Sequence, residues 1–271
     1  LPDAMLGAAW PDMYIEFDVS LSYAGILSAI ITVGTIISSL QSDRLTLRFG
    51  TGKVTAFSVA LTAIALLGFS ISHSFWMLCL WAIPYGLGGG SIDAALNNYV
   101  ALHYESRHMS WLHCMWGRGA ATGPYIMGYT LTSGMGWNSG YRIIFVIQII
   151  LSILIFLSLP LWKNRNSEVN KETNEKRKPM SLKDVIKIPG AKEVFICFFC
   201  YCALEQTAGL WASSYLNIYK GMSIEAAASF ASLFYIGITV GRAISGFITM
   251  KLSDSKMIRL GMILILIGII I

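Results

Sequence analysis

Residues 86–128 read GLGGGSIDAALNNYVALHYESRHMSWLHCMWGRGAATGPYIMG, a stretch that combines apolar segments with ionisable residues. Two apolar segments flank a short polar turn at residues 103–108. The first segment carries Asp93, and the second carries His113 and Arg118. Because ionisable groups inside a membrane span are costly, they usually face a protein-lined or water-filled interior. The stretch therefore predicts a bundle of membrane helices around a central polar cavity.

The composition of the whole chain is that of a membrane protein. Apolar residues make up 55% of its 271 residues and charged residues 13%, whereas a soluble domain carries about 25% charged residues. The sequence has no Gly-rich phosphate loop after a strand, no helical His-Glu metal motif and no spaced nucleophile–base pair. We therefore predict no enzyme activity, no metal site and no cofactor. The net charge of +5 is divided among links between apolar segments, so we predict no nucleic-acid partner.

Apolar segments separated by polar turns predict nine membrane spans. The uncharged run 54–92 is about twice the ~20 residues that one span needs, and the polar patch SISHS (70–74) divides it. The segment SLKDVIKIPG (181–190) is predicted to form a short amphipathic helix on the membrane surface, with Ser181 as its cap. The predicted spans cover residues 1–11, 23–40, 53–70, 75–102, 109–131, 141–161, 192–218, 224–250 and the segment from 257 onward.

The basic residues predict how these spans are oriented. All but four of the 20 Lys and Arg residues lie in the links after spans two, four, six and eight. Since cytoplasmic links are enriched in Lys and Arg, these links and the N-terminus are predicted to be cytoplasmic, in a multi-pass protein of the plasma or inner membrane. The short first and last spans indicate a fragment that is cut at both ends. The four exceptions are Arg118, Arg142, Lys220 and Arg242.

An internal repeat predicts the architecture. Residues 22–40, SYAGILSAIITVGTIISSL, align without gaps with residues 229–247, SFASLFYIGITVGRAISGF, and 8 of the 19 positions are identical. The shared TVG places Gly34 opposite Gly241, and a basic link follows both copies. Span two then corresponds to span eight, which makes a parallel repeat of six spans. Two parallel halves of six helices describe the major facilitator architecture.

Three motifs resemble the major facilitator superfamily and, within it, the fucose–proton symporter-like sugar permeases. SDRLTLRFGTGK (42–53) resembles the superfamily signature between spans two and three, although Ser39 stands where that signature usually has Gly. GLGGGSIDAALNNYVA (86–101) and FCYCALEQTAGLWASSYL (199–216) resemble the sugar permeases. The implied fold is an all-α polytopic membrane protein with two pseudo-symmetric six-helix bundles, of which the second is incomplete.

The resemblance also implies a domain division and a transport function. Residues 1–161 would form the N-terminal six-helix bundle, residues 162–190 a cytoplasmic interdomain loop with the amphipathic helix, and residues 191–271 the start of the C-terminal bundle. The expected function is secondary active transport by a monomer in the lipid bilayer, with proton-coupled uptake of a sugar or similar small polar solute by alternating access. Two alternatives stay open: a proton-coupled exporter of drugs or metabolites, and a non-transporting membrane sensor on the same fold.

Acidic residues inside the predicted spans are the candidates for proton coupling. The resemblance assigns this role to Asp93 and Asp3, because a carboxyl group in a low-dielectric cavity can load and release protons near neutral pH. A structural ion pair with Arg118 is the alternative for Asp93. Simple solvation at the outer mouth of the protein is the alternative for Asp3.

Polar and aromatic residues on spans four, five and seven are the candidates for substrate contacts. His113 and Trp116 are three residues apart and therefore share a helix face, and an aromatic ring beside polar groups is typical of a sugar site. Between Glu205 and Gln206, the resemblance favours Gln206 as the residue that faces the cavity, and an ion pair at the domain interface is the alternative for Glu205. Arg118, followed by GAATGP, also resembles the span-five motif of drug antiporters, and it would bind an anionic substrate group. The full set is Asn97, His113, Trp116, Arg118, Glu205, Gln206 and Trp211.

Conformational roles are predicted for charged helix ends and for the repeated glycine. Asp43, Arg44 and Arg48 lie at the cytoplasmic ends of spans two and three, where charge pairs would hold one state of the transport cycle. A solvated loop explains the same arginines equally well. Arg242 is interpreted as a domain-interface or substrate contact, and this choice stays open. The full set is Gly34, Asp43, Arg44, Arg48, Gly241 and Arg242.

All five cysteines lie in apolar segments. A zinc site would need thiolates that converge on one point with further ligands nearby, and free Cys behaves as a small hydrophobe. We therefore predict buried, reduced cysteines that pack against apolar neighbours. They are Cys79, Cys114, Cys197, Cys200 and Cys202.

Overall fold

The structure, a computed structural model, describes most of the chain. The described residues are 4–104, 106–172, 182–248, 252 and 254–270. Every regular element in this part of the chain is helical, and α8 continues into a π-helical turn at Tyr215–Tyr219. The α-helices are α1 (Met5–Glu16), α2 (Tyr23–Phe49), α3 (Thr51–Ser70), α4 (Phe75–His103), α5 (Ser106–Thr132), α6 (Gly136–Glu172), α7 (Leu182–Ile186), α8 (Ala191–Ser214), α9 (Ile224–Ile248) and α10 (Asp254–Ile270).

Six of these helices are long and apolar enough to cross a membrane, by length and composition alone. They are α2, α3, α4, the first 27 residues of α6, α8 with its π-helical turn, and α9. α5 also has 27 residues, but it is more polar because it carries His113 and Arg118. The predicted spans correspond in order to α1–α6 and α8–α10.

The turn between α3 and α4 confirms the predicted division of the long uncharged run. α3 ends at Ser70 and α4 begins at Phe75. The Ser74 hydroxyl accepts a hydrogen bond from the Met77 backbone N–H at 3.4 Å. This contact caps α4, since it satisfies one of the amide groups that a helix start leaves free.

Several helices extend past their predicted ends. α2 runs to Phe49, so most of the link predicted at 42–53 is helical, and the helix ends at Gly50, whose φ is 84°. α6 reaches Glu172 and α1 reaches Glu16. The predicted ends were wrong because hydropathy marks where a segment becomes polar, whereas a helix continues for as long as its residues favour it. Leu, Arg and Glu, which follow the apolar parts, are good helix formers.

The helix predicted at 181–190 is present in shortened form. α7 covers Leu182–Ile186, and the chain then turns through Gly190, whose φ is 84°. The stop predicted at the Pro-Gly pair agrees with the start of α8 at Ala191. Ser181, the predicted cap, lies outside the described residues.

Glycines allow α2 and α4 to lie in close contact. Gly86 and Gly90 of α4 lie against the backbone carbonyl oxygens of Ile31 and Thr35 of α2, where a Cβ atom would collide. Gly34 of α2 lies in the same contact, since a Cβ there would be 3.3 Å from the Gly86 Cα atom. Membrane helices commonly pack in this way, with small residues at the point of closest approach.

The main apolar core lies where α1, α3, α4 and α6 meet. Trp10 of α1 is fully buried, and its indole N–H donates to a backbone carbonyl in the α1–α2 turn at 2.8 Å. Trp137 of α6 is also fully buried and donates to Oε2 of Glu16 at 2.6 Å. Leu210 and Trp211 of α8 pack against the same core. The end of α1 is therefore tied both to α6 and to α8.

α5 and α9 pack along each other. Gly117 of α5 lies against Thr239 of α9, and the Cys114 thiol contacts the Thr239 carbonyl at 3.9 Å. A second contact forms between α1 and α8, where Gly7 lies against the Gly209 carbonyl. α1 and α5 thus share an interface with α8 and α9.

The cysteines are not all buried, which corrects the prediction made from hydropathy. Cys79 is buried, Cys114 and Cys202 are partly buried, and Cys197 and Cys200 are exposed. The stretch around the exposed pair is apolar on every side, so hydropathy does not distinguish the face of α8 that contacts protein. All five are free thiols. Among the described residues, no three His, Cys, Asp or Glu side chains are placed to hold a metal ion.

Candidate solute-binding site

Three helices bring a carboxylate, a guanidinium group and an aromatic ring together inside the bundle. α5 contributes Trp116, α8 contributes Glu205 and α9 contributes Arg242. Glu205 is buried, with 8% of its surface exposed, and its Oε2 atom lies 3.8 Å from Nη2 of Arg242. An unpaired charge is strongly disfavoured in such surroundings. The pairing therefore explains how two charged residues are accommodated inside predicted spans.

The guanidinium group of Arg242 also contacts α5 and a second residue of α8. Its Nη2 donates a hydrogen bond to the Tyr201 hydroxyl at 3.1 Å, and its Nη1 donates to the His113 backbone carbonyl at 3.4 Å. Its Cζ atom lies 4.7 Å from the centroid of the Trp116 ring, which is a cation–π distance. Any movement of α5 relative to α8 would therefore change the contacts of Arg242.

Tyr235 of α9 supports the Trp116 ring. The two rings meet edge to face with their centroids 6.4 Å apart, and Tyr235 is almost fully buried. The Tyr235 hydroxyl lies against Gly209 of α8, where a side chain would collide. Tyr235 also forms a small buried cluster with Ala120 of α5. The aromatic side of the site is therefore fixed by packing from three helices.

The structure turns Glu205 toward the interior and leaves Gln206 exposed. This is opposite to the orientation that the family resemblance favours. Tyr201, Glu205 and Gly209 follow one another at intervals of four residues, so they share one face of α8. Successive residues on a helix are about 100° apart, which places Gln206 outside this face.

His113 and Trp211, two further predicted solute contacts, do not contribute side-chain contacts to Arg242. His113 is partly buried and contributes its carbonyl oxygen to Arg242. Trp211 packs against the main apolar core. Trp211 lies near the end of α8, where it packs against the core that contains the buried residues of α1.

Arg118 lies on a different face of α5 from Trp116. It is exposed and lines a groove of about 390 Å³ between α5 and α9. Tyr125 and Ser232 lie in the same groove, which is otherwise mainly apolar. The groove combines one cation with an apolar surface, which suits an amphipathic anion.

The predicted proton carriers lie outside this cluster or outside the described part of the chain. Asp93 is exposed on α4, and Asn97, one turn further along the same helix, is partly buried. The spacing of four residues places both on one face of α4. Asp3 lies outside the described residues.

The residues predicted to have conformational roles include three exposed charged residues on α2 and two glycines that differ in their packing. Asp43, Arg44 and Arg48 are exposed on the last turns of α2, and the Cζ atom of Arg48 lies 5.3 Å from the ring centroid of the neighbouring Phe49. In the repeat, Gly34 packs tightly on α4. Its counterpart Gly241 is exposed and has open space where a side chain would be.

Tyr201 and Tyr235 belong to the site but were not among the predicted residues. Tyr201 precedes Glu205 by four residues, and Tyr235 precedes Arg242 by seven, so each shares a helix face with a charged residue. This spacing is the signal that identifies them. Aromatic residues are common in apolar helices, and hydropathy alone does not distinguish these two from the others.

Comparison with known proteins identifies the family. The sequence profile of the Major Facilitator Superfamily matches residues 1–271. The chain belongs to the Major Facilitator Superfamily. This membership confirms the predicted superfamily, the all-α polytopic fold and the prediction that the chain is not an enzyme.

Three known relatives of this superfamily member are about a quarter identical to it. "Bypass of stop codon protein 6" of Saccharomyces cerevisiae is 24% identical over 275 aligned positions, which cover 94% of the chain and 55% of the relative. The "Cis,cis-muconate transport protein" of Acinetobacter baylyi is 23% identical over 247 positions, covering 88% and 59%. The "Glucose/mannose transporter GlcP" of Bacillus subtilis is 23% identical over 263 positions, covering 89% and 59%. The chain thus spans a little more than half the length of these relatives.

Proposed function

We propose that the protein carrying this chain is a secondary active transporter that moves a small polar solute across a membrane by alternating access. The observation that carries the proposal is the Glu205–Arg242 pair, which lies between α5 of the first half and α8 and α9 of the second. Ionisable groups within membrane spans commonly mark a solute or ion pathway. In transporters of this architecture, one half rocks against the other around a site between them.

The solute that we propose first is a sugar. The Trp116 ring lies beside the polar groups of Arg242, Tyr201 and Glu205. An aromatic ring packs against the apolar face of a pyranose, while neighbouring polar groups bind its hydroxyls. One relative carries the name of a glucose/mannose transporter, which supports the same solute class.

Protons are the proposed driving ions. Asp93 is the first candidate carrier, since it lies on the polar face of α4 with Asn97, and Asp3 is the second. The proposed setting is a monomer in the plasma or inner membrane with a cytoplasmic N-terminus, because its basic residues concentrate in alternate links. The domain division at residues 161 and 191 belongs to the same proposal. The exposed charges at the end of α2 would hold one conformation.

Export of an amphipathic anion is the second candidate function. The observation that favours it is the groove between α5 and α9, in which Arg118 lies beside mainly apolar side chains. One relative is named as a transporter of cis,cis-muconate, which is an organic anion. Efflux of such a solute, rather than uptake of a neutral sugar, would support this candidate.

Proton entry into liposomes tests the first proposal. The full-length protein is reconstituted with a trapped pH-sensitive dye, and D-glucose, D-mannose or D-galactose is added outside. We expect sugar-dependent proton entry with the wild type and its loss with Asp93→Asn. Asp184→Asn removes an exposed acid on α7 and serves as the matched control, which should behave as the wild type. No response to any sugar would refute the sugar proposal, and proton entry that survives in Asp93→Asn would refute Asp93 as the carrier.

A further inference from the structure

The contacts of Arg242 leave much of its hydrogen-bonding capacity unused. A guanidinium group has five N–H donors, and within the described residues Arg242 donates two hydrogen bonds, to Tyr201 and to His113. Its ion pair with Glu205 is 3.8 Å long, whereas a charge-assisted hydrogen bond is about 2.8 Å. Arg242 and Glu205 therefore neutralise each other's charge without a direct hydrogen bond. Such a pair can separate at low cost if another anion takes the place of Glu205.

Arg242 is also the accessible member of the pair. Its side chain is 24% exposed, compared with 10% for Glu205. The Trp116 ring lies against the guanidinium group, with its centroid 4.7 Å from Cζ, so a ligand would reach Arg242 through the N–H groups that donate to neither Tyr201 nor His113. A planar carboxylate binds a guanidinium edge with two parallel hydrogen bonds. This geometry suits a carboxylate better than the single hydroxyl groups of a neutral sugar.

A ligand carboxylate and Glu205 compete for the same cation. If both were ionised, two negative charges would share one positive charge, and each carboxylate would disfavour the other. A proton on Glu205 removes this repulsion and frees Arg242 for the ligand. Binding of the ligand and binding of a proton therefore favour each other.

The groups around Glu205 limit which residue takes up this proton. Arg242 faces Glu205 from α9, Tyr201 and Cys202 face it from α8, and His113 faces it from α5. Arg remains charged, and Tyr and Cys are ordinarily neutral near pH 7. Among the side chains that face Glu205, His113 is of the other residue type that can exchange a proton near neutral pH, so the experiment has to separate Glu205 from His113.

We propose that Arg242 binds the carboxylate of an organic acid in exchange for Glu205, and that Glu205 carries the proton that crosses with it. The inference rests on the proposed transport function, but it names an organic acid in place of the neutral sugar as the substrate and Glu205 in place of Asp93 as the proton carrier. One carboxylate and one proton move together, so a monocarboxylate crosses without net charge. Sugar acids and small dicarboxylates are two sources of the same chemical group.

Equilibrium binding to the purified full-length protein tests the exchange. Labelled D-glucuronate and cis,cis-muconate are titrated at pH 5.5 and 7.5, with D-glucose as the neutral counterpart of glucuronate. At least one of the two acids should bind about tenfold or more tightly to the wild type at the lower pH, as expected for uptake of a linked proton. Glu205→Gln should bind it equally well at both pH values. Arg242→Lys keeps the charge but loses the planar fork, and it should bind the acid about tenfold more weakly.

Transport separates Glu205 from His113. The acid that binds should drive proton entry into liposomes with the wild type. Glu205→Gln should lose this proton entry but still exchange labelled acid across the membrane. Lys187→Gln removes an exposed cation on α7 and should match the wild type in both assays. A pH dependence that persists in Glu205→Gln would place the proton on another group and overturn the proposal.

The result with D-glucose distinguishes failure of this inference from failure of the proposed function. Proton-coupled glucose transport without binding of either acid would leave transport standing and refute the carboxylate site. No binding or transport of any of the three solutes would refute both. Arg242→Lys retains a cation beside Glu205, so it tests the site even if Glu205→Gln does not fold. An unchanged affinity for the acid in a correctly folded Arg242→Lys protein would overturn the proposal.

Discussion

Substitution of Glu205 and substitution of Arg242 should not have additive effects on the free energy of unfolding. Each single substitution leaves the other charge without its partner, whereas the double substitution removes both charges. At a distance of 3.8 Å and an effective dielectric constant of about 20, the attraction between two unit charges is about 4 kcal/mol. Desolvation of the buried carboxylate offsets part of this attraction, and Arg242 is only partly buried. We therefore expect a coupling free energy of about 1–3 kcal/mol between the two side chains.

A double-mutant cycle measures this coupling. Thermal unfolding in detergent is recorded for the wild type, Glu205→Gln, Arg242→Gln and the double variant, and the double variant should be more stable than the sum of the single effects predicts. Asp184 and Lys187 of α7 form a matched control, because their ion pair is also 3.8 Å long but exposed. The coupling of such an exposed pair should be below about 0.5 kcal/mol. If the effects of Glu205→Gln and Arg242→Gln were additive, with a coupling free energy as small as that of the control pair, the two side chains would not stabilise each other.

Two further predictions concern the packing that positions the site. Gly86→Ala would bring a Cβ atom into the Ile31 carbonyl and should lower the free energy of unfolding by about 1–3 kcal/mol. Gly89→Ala meets open space and should be neutral or slightly stabilising. Equal effects of the two substitutions in thermal unfolding would contradict the close contact between α2 and α4. Trp137→Phe removes the hydrogen bond to Glu16 and should destabilise the protein by about 1.5–3 kcal/mol in the same assay. An unchanged unfolding temperature would show that this bond does not tie α1 to α6.

The sequence was sufficient to predict the order of the helices and several of their boundaries. The turn at SISHS was predictable because a run of uncharged residues is too long for one span and its polar patch lies near the middle. The extent of α2 was not predictable from hydropathy, since its last turns are polar but still made of good helix formers. Arg44 and Arg48 were therefore assigned to a link and instead lie on a helix.

The charged residues of the site were predictable, but their orientations were not. Glu205 and Arg242 are conspicuous in the sequence because charges are rare inside spans. The choice between Glu205 and Gln206 depends on the rotation of α8, which is set by Gly209 packing against Tyr235 and by the approach of Gly7. These contacts join residues far apart in the sequence, and hydropathy carries no information about them.

The internal repeat predicts which helices correspond, but residues at the same position of the two copies make different contacts. Gly34 and Gly241 occupy the same position of the repeat, but Gly34 packs on α4 whereas Gly241 is exposed. The next position is Thr35 in the first copy and Arg242 in the second. Thr35 donates to the Gly86 carbonyl at 3.3 Å, while Arg242 contacts Glu205 and Trp116. The repeat thus predicts that the helices correspond, and the substitution at this position gives the second copy its charged contact.

Solute counterflow in liposomes measures whether the solute binds at the cluster of Trp116, Glu205 and Arg242. Counterflow needs no proton gradient, so it reports solute binding and movement alone, and it is measured with labelled D-glucose and D-glucuronate. Trp116→Ala removes the ring that faces Arg242 at 4.7 Å, and Trp76→Ala removes a Trp of α4 that is 70% exposed. We expect a loss of about tenfold or more with Trp116→Ala, from lost stacking and cation–π contacts, and counterflow close to that of the wild type with Trp76→Ala. Counterflow by Trp116→Ala equal to that of the wild type would show that the solute does not bind against Trp116.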